Sequence, residues 1–217
     1  TGSLFEVDQT GLTVVSVDGY RLALRHEATD QVEGAESFSF VVPGSALSEV
    51  EKICSGEGPV RVSQGSRHVL FQAGDTLLVC RRLEGEFLAY RNAIPRNNPI
   101  QVECDTRALA TCISRVSTII SEKLKSPLRC LFQDGVVTIS TKTGEGDARD
   151  DCPISGDGQN LEIGFDNKYL MDALRAAPAD RLKLELSSGV APCVILPAEG
   201  EDDFLYMVLP VRLRAGN

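Results

Sequence analysis

Two stretches decide the fold when set beside each other. The first is "SFSFVVPGSALSEVEKICSGEGPVRVS", Ser37 to Ser63. The second is "NLEIGFDNKYLMDALRAAPADRLKLEL", Asn160 to Leu186. Each opens on a strand-prone run, passes through an amphipathic helix and closes on an alternating strand. Upstream of them, "LFEVDQTGLTVVSV" from Leu4 resembles "LFQDGVVTIST" from Leu131. The copies are offset by about 125 residues, the size of a domain and far longer than a solenoid period. Each copy reads strand, long excursion, strand, helix, strand, hairpin, strand.

The helical segments are three. In Pro43–Cys54, Leu47, Val50 and Cys54 form one stripe. Asp105–Ser121 opens on an acidic cap and carries Leu109, Cys112, Ile113, Val116 and Ile120 at helical spacing. Asp166–Ala177 does the same with Leu170, Ala173, Leu174 and Ala177. The remaining apolar runs are short, rich in Val, Ile, Leu and Phe, and punctuated by Gly, Asp and Asn. Such a pattern predicts an α+β fold: antiparallel sheet with two helices per domain burying one apolar face. "AIPRNNPIQVE" marks a linker, so the expected domains are residues 1–97 and 98–217. The first copy has no room for the helix that opens the second, and the chain begins Thr-Gly-Ser, so an N-terminally truncated first domain is expected.

The chain has 217 residues, of which 42% are hydrophobic, enough to bury a sizeable core. Its formal net charge of −9 argues against tight, non-specific binding through phosphate neutralisation, and leaves room for a local basic face. Seven cysteines, mostly within apolar runs and none in CxxC, read as reduced core thiols of a cytoplasmic protein. No signal peptide and no 18-residue apolar span is present. Enzyme signatures are missing: no GxSxG, HExxH, Walker loop or GxGxxG after a strand. His26 and His68 read as surface or structural. The acidic runs "GEGDARDD" (Gly144–Asp151) and "EGEDD" (Glu199–Asp203) lack calcium-loop spacing and read as solvated hairpin tips. "SGDGQ" (Ser155–Gln159) reads as a turn. No cofactor, metal or catalytic residue is expected.

One feature resists a purely structural reading. In "VSVDGYRLAL", Val15–Leu24, Asp18-Gly19 signals a hairpin turn, yet Tyr20-Arg21 follows as though displayed. The matching stretch of the second copy, "TISTKTGEGDARDD", is acidic and different. A turn required only by the fold would recur in both copies.

"VDGYRLAL", "FVVPGSAL", "LEGEFLAYRNAIP", "EIGFDNKYLMDAL" and the closing "YMVLPVRL" stand in an order and spacing that resembles the bacterial sliding clamp family, the beta subunits of DNA polymerase III. The resemblance runs from Leu4 to Leu213. It implies a DNA-clamp fold with helices on the inner face, a middle domain followed by a last domain, and a cytoplasmic, nucleoid-associated accessory subunit without catalytic residues. It also implies a homodimeric ring around duplex DNA, acting as a processivity factor. Polymerase, clamp loader and repair proteins would dock a short peptide in a groove between the two domains. Carried over by motif, the groove comprises Val17, Gly19, Tyr20, Arg21, Leu22, Leu88, Ala93, Asp166, Tyr169, Val190, Met207, Val208, Leu209, Pro210, Val211 and Arg212. DNA-facing candidates are Lys52, Arg107, Arg115, Lys168 and Arg175, with ordinary solvated helix charge as the competing reading. The chain departs from the family where Val17 replaces a common Thr, Tyr20 a His, Leu88 a Pro and Leu209 a Met. Arg214–Asn217 extend past the usual end. Two further readings stay open: an enzyme completed by a missing N-terminal part, and a clamp-like binding module that forms no ring. Lacking a first domain, the chain is expected to be monomeric or weakly associated in light scattering.

Overall fold

The computed structural model describes residues 2–29, 37–121, 123, 125–200 and 202–213. The chain forms two compact units. The first is Thr1–Asp18 with Leu24–Tyr90; the second is Gly19–Ala23 with Arg91–Asn217. The second unit therefore opens at Arg91, ahead of the expected Asn98, and it includes five residues from the first copy of the repeat. The extension Arg214–Asn217 lies outside the described residues.

In the first unit, β1 (Gly2–Asp8) pairs antiparallel with β2 (Gly11–Val17), with Leu4 opposite Val15. The Leu24–Glu27 part of β3 (Arg21–Glu27) lies beside β2, and Thr13 Oγ1 is 3.0 Å from His26 Nδ1. On the other side β4 (Phe38–Pro43) pairs with β1, with Phe5 opposite Phe40. A second sheet holds β5 (Val60–Gln64), β6 (His68–Ala73) and β7 (Thr76–Arg81) in that order. Between the sheets, Phe5, Phe40, Val42, Val69 and Phe71 form the core. The Phe5 ring stacks on Phe40 at 5.3 Å and meets Phe71 edge-on at 6.1 Å, geometries that add to area burial. α1 (Gly44–Ile53) covers this core with Ala46, Leu47 and Val50.

The second unit repeats the plan. β9 (Leu128–Gln133) and β10 (Val136–Thr143) form the hairpin corresponding to β1 and β2. Its turn, Asp134-Gly135, has positive φ at both residues (51° and 76°), the conformation of a tight primed turn. β11 (Gly146–Pro153) pairs with β10, and β12 (Leu161–Phe165) pairs with β9 as β4 pairs with β1. The other sheet is β15 (Asp203–Val208), β14 (Cys193–Pro197), β13 (Arg181–Leu186) and β8 (Ile100–Asp105).

α2 (Thr106–Val116) and α3 (Asn167–Ala176) close this unit. Asp105 caps α2, accepting from Ala108 N–H at 2.7 Å, and Leu109, Cys112, Ile113 and Val116 are buried beneath it. A short 3-10 turn, Ser117–Ile119, ends α2 before the expected Ser121. The second unit holds two α-helices, and the first, expected to lack the leading one, holds one α-helix among its described residues. In the second unit, β8 pairs with β13, and Leu182, Leu184 and Leu186 of β13 are buried. In the first, the corresponding Val60 and Val62 of β5 are 42% and 36% exposed.

All seven cysteines are free. Cys104, Cys112, Cys130, Cys152 and Cys193 are buried, as the sequence suggested, and burial pushes the thiols of Cys104, Cys130 and Cys152 up to about 12. Among the described residues no cluster of His, Cys, Asp and Glu is arranged to hold a metal ion, and no helix is long and apolar enough to cross a membrane.

A candidate docking site on the second unit

The site grows from the start of α3. Asp166 is its N-cap: the carboxylate accepts from the N–H groups of Lys168 (2.9 Å) and Tyr169 (3.2 Å). That cap fixes the first turn and with it Tyr169, whose ring packs partly against the core. Asp172 follows one turn later, on the same face as Tyr169.

Residues 19–23 belong to this unit. The Tyr20 ring stacks on Tyr169 with centroids 5.4 Å apart and planes inclined by 17°. The Arg21 guanidinium lies 4.6 Å from the centre of the Tyr169 ring, and its Nη1 donates to Asp172 Oδ2 at 2.7 Å. Leu22 is buried. Gly19 does not occupy the left-handed region, and open space surrounds the position of a Cβ. The Asp-Gly signal therefore marks a link between strands, but no conformational demand for glycine.

The chain's end completes the surface. Leu209 N–H donates to the Tyr20 carbonyl at 2.9 Å, and Val211 N–H donates to the Gly164 carbonyl at 2.8 Å. A Cβ on Gly164 would meet the Val211 carbonyl oxygen at 2.7 Å, so this approach requires glycine. Tyr20 (59%), Val190 (73%), Leu209 (36%) and Val211 (39%) are exposed apolar groups, with Pro210 half-buried and Arg212 exposed.

The second unit thus brings Tyr20, Arg21, Asp166, Tyr169, Leu209 and Val211 to one surface. Val208 departs from its expected role: it pairs with Cys193 and faces the core. Met207 is buried opposite Val194. Ala93 is exposed in this unit, whereas Val17, half-buried, and Leu88, 58% exposed, belong to the first. Sequence reasoning missed Gly164 and Asp172. Asp172 had a signal, its position one turn beyond Tyr169; Gly164 had none in one sequence.

The cationic candidates divide by partner. Lys52 pairs with Glu49 at 2.7 Å, and Arg115 with Asp150 at 2.6 Å. The latter pair lowers the Asp150 pKa, chiefly through the hydrogen bond from Arg115. It also corrects the reading of "GEGDARDD" as a hairpin tip: Asp147–Asp151 lie along β11, and Asp150 ties that strand to α2. Lys168 and Arg175 line a broad cleft of about 1540 Å³ with Lys125, Arg129, Lys142, Arg149 and Arg212, and with Asp147, Asp166 and Asp172 among them. Arg107 is exposed on α2.

Two similar α+β modules in tandem define a class of repeat-domain protein built on antiparallel sheets. Comparison with known proteins places it. Residues 91–212 match the family profile described as DNA polymerase III beta subunit, C-terminal domain, and residues 1–88 match the central domain of that subunit. The Beta sliding clamp of Staphylococcus aureus is 29% identical over 215 residues, 98% of this chain and 56% of that protein. That of Pseudomonas putida is 29% identical over 214 residues, 98% of this chain and 58% of that protein. Among solved structures, the DNA polymerase III subunit beta of Pseudomonas aeruginosa superposes with a TM-score of 0.89 at 27% identity, covering 98% of this chain and 58% of that one. The DNA polymerase sliding clamp of Bacillus subtilis gives 0.90 at 26%, covering 99% and 57%. The chain belongs to the DNA polymerase III beta subunit family, and it spans just over half the length of these relatives.

Proposed function

We propose that the chain supplies the middle and last domains of a processivity clamp for a replicative DNA polymerase, a non-catalytic subunit. In this reading the whole protein is a homodimeric ring that encircles duplex DNA. It holds the polymerase, the clamp loader and repair proteins through short peptides. Sliding needs topology more than affinity, and a protein of net charge −9 with a few helix cations suits weak, mobile contact with phosphates. Lys168 and Arg175, which share a cleft with five further cations and three aspartates, are the better candidates for such contact. Lys52 and Arg115 already hold carboxylate partners.

The observation that supports peptide docking is the surface of the second unit, where the exposed Leu209 is hydrogen-bonded to Tyr20 beside Arg21 and the Tyr20–Tyr169 stack. Apolar walls with a few orienting polar groups are what an extended peptide needs. Ala93, exposed in the same unit, completes the groove in this reading.

Titration of a labelled peptide bearing Gln-x-x-Leu-Phe tests it. Binding at roughly micromolar strength or weaker is expected, typical of short motifs. Arg21→Ala and Leu209→Asp should each weaken it by about tenfold, the loss of one well-buried contact. Unchanged affinity in both variants would remove the groove assignment.

A further inference from the structure

Asp172 stands in the interior of α3, where aspartate is among the weaker helix formers. Helix spacing offers it a partner three residues on, Arg175. Its carboxylate instead accepts from Arg21 Nη1 at 2.7 Å, across 151 residues of sequence. This contact lies within the second unit, because residues 19–23 belong to it. A distant partner taken over a local one marks a tie between segments rather than a pair that supports the helix.

The tie leads to the docking surface. The guanidinium it holds lies 4.6 Å from the centre of the Tyr169 ring, on which Tyr20 stacks at 5.4 Å. The Tyr20 carbonyl in turn accepts from Leu209 N–H at 2.9 Å. Contacts therefore run from Asp172 through Arg21 and its neighbour Tyr20 to the last apolar residues of the chain. The Arg21 and Asp172 side chains are 34% and 39% exposed, so water screens the pair and its effect is one of geometry more than of energy.

We propose that Asp172 is a positioning residue of the docking site: its carboxylate sets the pose of Arg21, and through it the wall formed by residues 19–22, without itself meeting the peptide. The inference rests on the docking reading above and adds the residue that keeps the site in shape. A wall set in advance lowers the ordering cost that a peptide meets on binding. Loss of the carboxylate therefore weakens docking while α3 stays folded. Asn matches Asp in helix propensity, so Asp172→Asn removes the charge and leaves the helix in place.

A double-mutant cycle tests this, read by titration of the labelled Gln-x-x-Leu-Phe peptide with thermal unfolding of every variant alongside. Asp172→Asn should weaken binding about three- to fivefold, the upper range for a half-exposed ion pair. Asp172→Glu keeps the charge and should hold affinity to within about twofold of wild type. In an Arg21→Ala background, Asp172→Asn should change affinity by less than about twofold, since the carboxylate then has nothing to hold. A merely structural role in α3 would carry the full loss into that background and lower Tm there as well. Additive losses, no rescue by Asp172→Glu, unchanged binding in Asp172→Asn, or tighter binding through a released Arg21 would each overturn the positioning role and leave docking standing. If the peptide does not bind wild type, docking and positioning fall together.

Discussion

At the scale of single residues, the second unit separates groups that hold the fold from groups that face outward. Gly164 is held by geometry: its Cβ position is 2.7 Å from the Val211 carbonyl oxygen. Gly164→Ala should push the chain end away, lower the melting temperature and weaken peptide binding together. Gly19→Ala is the contrast. Nothing lies within 4 Å of its Cβ position, and its φ is not positive, so Tm should stay within about a degree. Thermal unfolding of both variants checks the pair, and a large loss in Gly19→Ala would contradict the open geometry. The cysteines behave as core. With thiols pushed up to about 12 by burial, Cys104, Cys130 and Cys152 hold a thiolate fraction of roughly 10⁻⁴ at pH 8. In a thiol-labelling time course, the half-buried Cys54 and Cys80 should react first, and the five buried thiols only with unfolding. The sequence already pointed to buried thiols, because the cysteines sit within apolar runs. It did not reveal what Asp172 binds, because its partner Arg21 is 151 residues away.

At the scale of elements, α2 is fastened at both ends. Asp105 caps its start, and Arg115 in its last turn reaches Asp150 on β11. Asp105→Ala should cost about 1 kcal/mol in chemical denaturation, the usual worth of such a cap. The Asp150 carboxyl is held below its ordinary value in the folded state, so folding favours its ionised form. Its contribution is fully present above the unfolded pKa of about 3.9 and is lost as pH falls through the lower folded value. Asp150→Asn should therefore flatten the acid limb of the stability curve below about pH 4 and leave its shape at neutral pH unchanged. An acid limb identical to wild type would show that the pair is broken in solution. The helices themselves were legible: acidic caps and apolar spacing set α2 and α3 to within a few residues. The Arg115–Asp150 tie was not, because "GEGDARDD" taken alone looks like a solvated tip. Only the pairing of β11 with β10 carries Asp150 to the helix. In the same way Val208 resembled its exposed neighbours in "MVLPVR", and strand alternation turned it toward the core.

At the scale of the whole molecule, the repeat was the most legible feature, because both copies encode one order of strands and one apolar helix stripe. Assigning residues 19–23 to the second unit was beyond reach, since a local reading of "VDGYRLAL" ends at its turn. In the proposed role, the charge balance sets how the molecule would meet DNA. At −9 overall, its net field repels phosphates, while Lys125, Arg129, Lys142, Arg149, Lys168, Arg175 and Arg212 outnumber Asp147, Asp166 and Asp172 in one cleft. Both effects are screened beyond about a Debye length, ~8 Å at physiological salt, so a phosphate at the cleft feels the nearby cations more than distant carboxylates. Binding of this chain to linear duplex DNA should consequently be at or beyond the weak end of non-specific affinities, about 10⁻⁴ M, and should fade as salt rises. Each cation that contacts a phosphate contributes about 0.9 to the slope of log affinity against log salt. Lys168→Ala and Arg175→Ala should each flatten that slope by roughly this amount, while Lys52→Ala, whose partner is Glu49, should leave it in place. A slope unmoved by Lys168→Ala and Arg175→Ala but lowered by Lys52→Ala would shift the phosphate contacts from the cleft to the first unit.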